Sequence, residues 1–99
     1  MTENEILTGA IELFGKQAQK IVAMEEMSEL IQALSKNMRG ADNRSNISEE
    51  IADVEIMLEQ LKIIFNNESE TRLYKKMKMQ RLEAKVFEQY MQQAEGDET

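Results

Sequence analysis

Four acidic residues in this chain fall into two matched pairs, Glu26 with Glu29 and Glu50 with Asp53. At about 100° per residue around a helix axis, members of each pair lie about 60° apart on one side. In the segment "AMEEMSELIQALSK", Ala23, Met27, Leu30, Ile31, Leu34 and Met38 form an apolar arc, and Val22 and Ala33 extend it beyond Glu26. Glu26 therefore falls inside the stripe and Glu29 at its edge. In the second segment, Ile47, Val54, Met57, Leu58, Leu61 and Ile64 define a buried face that contains Glu50, with Asp53 to one side. One such glutamate reads as a solvated charge, but two pairs in matched positions are harder to place in solvent. Buried ionised carboxylates cost several kcal/mol each and repel one another unless something cationic sits among them. Neither stripe contains a Lys or Arg, so the indicated partner is a divalent ion. Oxygen-only ligands favour Mg²⁺, with Mn²⁺ as a substitute.

Other chemistries are excluded by composition. The chain has no cysteine and no histidine, which removes thiol catalysis, disulfides, Cys-type zinc sites and Ser-His-Asp machinery. Acid–base work falls to carboxylates, lysines, tyrosines or metal-bound water. No Gly-rich phosphate loop is present, so a Walker-type NTPase is excluded. A net charge of −7 argues against nucleic acid as a partner, because phosphate backbones repel an acidic chain. The opening "MTENEIL" carries acids where a secretory leader needs positive charge, and apolar runs are short, so a soluble, cytoplasmic protein with no membrane partner is expected.

The elements that must position the four carboxylates are helices. Helix formers dominate, proline is absent, and 99 residues support one small all-α domain. The first helix is expected over 3–14, ending at Gly15, and the second over 16–38, ending at Gly40. After a polar loop at 40–46, Asn46 and Glu49 read as a capping box opening a third helix to about residue 66. Asn67 and Glu70 repeat the device for a fourth helix to about residue 92. Residues 1–93 are then the domain and 94–99 an acidic tail. An antiparallel hairpin of the second and third helices brings the carboxylate pairs face to face. With eight methionines and five aromatic residues, the core is expected to be Leu, Ile and Met, with Phe14 part of it, and thin enough that self-association should bury more.

Six of the twelve basic residues, Arg72, Lys75, Lys76, Lys78, Arg81 and Lys85, fall within fourteen positions that hold one acid, Glu83. On the fourth helix Tyr74, Lys78, Arg81 and Lys85 share one face, while Leu73, Met77, Ala84 and Met91 share another. Each alone reads as a solvated lysine or arginine. As a group, with Lys36 two turns beyond Glu29, they could hold a polyphosphate against the metal. Arg39 and Arg44 flank the loop and are weaker candidates.

The pattern Glu26-x-x-Glu29, a twenty-residue gap, then Glu50-x-x-Asp53 resembles the metal-binding signature of MazG-like all-α nucleoside triphosphate pyrophosphohydrolases, relatives of the dimeric dUTPases. "FGKQAQ", "EEMSELIQALSK" and "EEIADVEIMLEQL" are similar to that family's helices, so the resemblance spans roughly residues 5 to 85. It implies a four-helix MazG-like bundle assembled through subunit association, as a homodimer or homotetramer, with basic residues of one subunit serving the metal of another. It implies Mg²⁺-dependent cleavage of a nucleoside triphosphate between the α and β phosphorus atoms, giving monophosphate and pyrophosphate. Lys78 and Arg81 match the family's phosphate-contacting KxxR, and Gln17 stands where relatives carry a base- or sugar-contacting residue. Glu25, beside Glu29 on the wheel, either orients or deprotonates the attacking water or faces solvent. The alternatives are a non-catalytic helical interaction module, for which strict heptads with flanking charges are expected, and a nucleotide sensor with the same fold.

Overall fold

The computed structural model describes residues 1–97, the side chain of Asp97 excepted. Four helices run in order, α1 (Glu3–Phe14), α2 (Lys16–Met38), α3 (Arg44–Phe65) and α4 (Glu68–Asp97), with no strand among the described residues.

The helix boundaries have local causes. Thr2 and Glu5 form a reciprocal capping box at the start of α1, the Glu5 N–H donating to Thr2 Oγ1 at 3.1 Å and the Thr2 N–H to Glu5 Oε1 at 3.2 Å. Gly15 alone separates α1 from α2. Its φ of 98° and ψ of 149° lie where a Cβ is not tolerated, which lets the chain turn within one residue. The end of α2 is a Schellman turn: the Gly40 N–H donates to Asn37 O at 3.0 Å and the Ala41 N–H to Lys36 O at 3.1 Å, with Gly40 at φ 98°. Asn66, in the left-handed region at φ 49°, closes α3.

The two capping boxes expected further along are not formed. α3 begins at Arg44, so Asn46 lies inside the helix, and Asn43 stands at the cap without a side-chain bond to the helix backbone. Its Nδ2 donates instead to Ala33 O at 2.9 Å, tying the link back to α2. At α4, the Asn67 backbone carbonyl accepts from the Thr71 N–H at 2.9 Å, but Asn67 Oδ1 is enclosed and unbonded. α4 continues to Asp97, past the expected end near residue 92. Of the expected acidic tail, residues 98 and 99 lie outside the described residues.

The chain divides into two units, Met1–Asn66 and the segment from Asn67 onward. In the first, α2 packs mainly on α3, and α1 touches both. Its buried apolar residues are Ile11, Ala23, Ala33 and Met57, a small set of which two are alanines. Along the middle of the buried face of α2, Gln19, Ala23, Glu26, Leu30 and Ala33 follow alternating steps of four and three, with half-buried Lys20, Val22 and Met27 at its sides. Such a seam is narrower than the arcs read from the sequence. Phe14, Ile31, Leu34, Met38 and Leu58, all expected in the core, are exposed in the single chain, Met38 by 88%. One partner helix covers only the centre of each arc.

In the second unit every residue of α4 from Glu68 to Gly96 is exposed. Beyond the Leu73, Met77 and Met91 face, Met79, Leu82, Val86, Phe87 and Tyr90 line a shallow apolar groove along the same helix. α4 thus carries two apolar faces.

Candidate metal centre

α2 meets α3 through polar groups at three points along their length. Gln19 meets Gln60 at one end, Asn43 reaches Ala33 at the other, and the carboxylates meet between them. Residue numbers rise on α2 as they fall on α3, so the pair is antiparallel.

Glu26, Glu29, Glu50 and Asp53 each offer a carboxylate oxygen, and the four oxygens lie within 4.8 Å of one another. Glu26 and Glu50 are half-buried in the seam, while Glu29 and Asp53 are exposed beside it. This follows the helical geometry: from Glu26 and from Glu50 the next seam position is four residues on, at Leu30 and Val54, so the third residue on falls at the rim.

The electrostatics are those of a site lacking positive charge. Burial chiefly, then the charges of Glu29 and Asp53, a hydrogen bond with Asp53, and the charge of Glu50 push Glu26 up to about 7 from 4.5. Glu50 is raised as well, by burial first and then by Glu29, Asp53 and Glu49. Oε2 of Glu26 and Oε2 of Glu50 are closed off from solvent and accept no hydrogen bond. The ion pairs among the described residues, Lys62–Glu59 at 2.6 Å and Arg72–Glu68 at 3.3 Å, lie on helix surfaces and involve none of the four. Two enclosed, unbonded carboxylate oxygens and two more at the rim suit a hard cation that takes oxygen ligands. The cluster can hold a metal ion.

Comparison of the chain with family models, with curated proteins and with solved structures finds no match.

Glu25 is exposed on α2, one residue before Glu26. Gln17 is exposed in the first turn of α2, and Lys36 is exposed in its last turn, where a cation also complements the helix dipole. Lys78 and Arg81 are exposed on α4, in the other unit. The structure brings together the four acids within the first unit. Among the described residues no helix is long and apolar enough to cross a membrane.

Two features of the α2–α3 pair were not read from the sequence. Gln19 Nε2 donates to Gln60 Oε1 at 2.6 Å, with both residues buried. Beside them, Lys20 Nζ stands 4.9 Å from the centre of the Phe65 ring. The available signal was spacing: Gln19 precedes Glu26, and Gln60 follows Asp53, by seven residues, two helical turns.

Proposed function

We propose that this chain is a Mg²⁺-dependent nucleotide pyrophosphohydrolase of the MazG-like all-α type, acting as a homodimer or homotetramer. The observation that carries the reading is the meeting of two acidic pairs across an antiparallel helix pair, with two carboxylate oxygens enclosed and unbonded. Glu26, Glu29, Glu50 and Asp53 would hold the ion, Mg²⁺ by preference and Mn²⁺ in substitution. Such an ion, when bound, offsets phosphate charge and makes water a better nucleophile at neutral pH.

The chain's own residues do the rest. Glu25 orients the attacking water and takes its proton. The water oxygen bonds to the α-phosphorus, and the α–β bridging oxygen leaves with pyrophosphate. Lys36, Lys78 and Arg81 bind the phosphate chain and stabilise charge gathering on the leaving group. Gln17 contacts the base or sugar. The exposed apolar residues of α2, α3 and α4 supply the surface through which copies associate, bringing basic side chains of one copy to the acids of another.

A second reading, a non-catalytic interaction or nucleotide-sensing protein of the same fold, is favoured by one observation, the extent of apolar surface on α4. One assay separates the two. The purified protein is incubated with a panel of nucleoside triphosphates and Mg²⁺, and pyrophosphate, monophosphate and orthophosphate are measured. Pyrophosphate with equimolar monophosphate is expected. Orthophosphate overturns the bond assignment, and no product from any nucleotide leaves the non-catalytic reading.

A further inference from the structure

We infer that the Gln19–Gln60 hydrogen bond locks the register of α2 against α3 and so sets the geometry in which the four carboxylates meet. On α2 the buried apolar members of the seam are Ala23 and Ala33, small side chains that let the helices approach, with Val22, Met27 and Leu30 half-buried beside them. Side chains one turn apart lie on the same face, so apolar packing alone also permits a register slide of a turn, about 5.4 Å. The acids favour that slide, because four like charges within 4.8 Å relax by moving apart.

The amide pair opposes it. Gln19 and Gln60 are 7% and 5% exposed, and Gln19 Nε2 donates to Gln60 Oε1 at 2.6 Å. A slip by one turn strands both amides in an apolar seam, where an unpaired polar group is costly. A single buried polar residue fixes register in coiled coils for the same reason. Here the lock stands seven residues from Glu26 on α2 and from Asp53 on α3, so its register passes down both helices by the same two turns to the Glu26–Asp53 pair. Gln19 and Gln60 act as positioning residues, and neither touches the acids' ligand oxygens.

The test uses two measurements on the full chain, only one of which rests on the reading of the acids as a metal site. The chain has no cysteine, so Ser28→Cys with Glu55→Cys places spin labels at unique exposed positions on α2 and α3. Their separation is measured without metal, by pulsed dipolar spectroscopy, in excess unlabelled protein so that only distances within one chain are read. In this background Gln19→Leu with Gln60→Leu should broaden the distribution and add a population displaced by about one helical turn. Gln19→Met with Gln60→Met, closer in shape to glutamine, serves if the leucine pair does not fold. In unlabelled protein, Mn²⁺ affinity should fall about tenfold or more in the same variants, matching the loss of ligand alignment. Ile11→Ala, a buried position on α1, should lower stability yet leave Mn²⁺ affinity and the distance distribution unchanged. An unaltered distribution in both double variants overturns the lock, whatever the metal does. A broadened distribution in a protein that never binds Mn²⁺ upholds the lock and removes the metal reading instead.

Discussion

Glu26 of α2 faces Asp53 of α3 closely enough for a hydrogen bond between their carboxyl groups, an approach that two ionised acids resist. The contact has a direct consequence for how the metal-free protein responds to pH. In the folded chain Glu26 is pushed up to about 7 from 4.5, by burial first and then by its acidic neighbours. Between those values the folded state holds a proton that the unfolded chain has released. Stability therefore falls as pH rises through that window, and the loss is complete above about 7. Without metal, the melting temperature near pH 5 should exceed that near pH 8, and Glu26→Gln should flatten the difference. Saturating Mg²⁺ should restore stability at the higher pH, because a ligand bound only by the folded state stabilises it. Equal slopes in wild type and Glu26→Gln would contradict the shift.

Removing one acid should separate stability from function. Glu50→Gln deletes a charge from a repulsive group and leaves an amide that can donate where an enclosed oxygen had no partner. The metal-free variant should melt at a higher temperature than wild type at neutral pH. Its Mn²⁺ affinity should fall by about tenfold to a hundredfold, with pyrophosphate release lost in proportion. Calorimetry and the product assay on the same preparations check both halves.

The basic residues of α4 should act on the nucleotide and leave the ion alone. Lys78→Ala or Arg81→Ala removes a charge-assisted contact to phosphate, a loss of about tenfold to a hundredfold in kcat/KM. Mn²⁺ affinity measured without nucleotide should be unchanged. A matching loss of Mn²⁺ binding would instead make these residues part of the helix packing.

Gly15 is, with Gly40, a position where the backbone dictates the residue. At φ 98° and ψ 149° any other side chain is strained, although open space surrounds the position. Gly15→Ala should destabilise the protein by about 1–3 kcal/mol, read as a lower urea midpoint with an unchanged slope.

The helices and the seam were legible because they rest on local rules. The 3–14 and 16–38 spans follow from apolar spacing and from Gly15 and Gly40. Glu26 and Glu50 fall in the half-buried seam because the helical repeat carries them there. The capping box at Asn46 was misread because α3 begins ahead of it at Arg44, behind Asn43, whose side chain reaches back to Ala33; at Asn67 the cap position is right, but Oδ1 accepts no hydrogen bond. The cap at Thr2 went unread, although it obeys the same four-residue rule. Core membership at Ile31, Leu34, Met38 and Leu58 failed because a wheel records which way a side chain points and not whether anything lies there. The Gln19–Gln60 bond was hidden for a related reason. Its partners stand 41 residues apart, and each alone is an ordinary glutamine.

A divalent ion among Glu26, Glu29, Glu50 and Asp53 is tested most directly by anomalous diffraction from crystals grown with Mn²⁺ and a non-hydrolysable nucleoside triphosphate analogue. A manganese peak bounded by those four side chains, with the analogue's phosphates against it, is expected. A structure in which the four carboxylates turn into solvent with no peak between α2 and α3 would contradict the metal site.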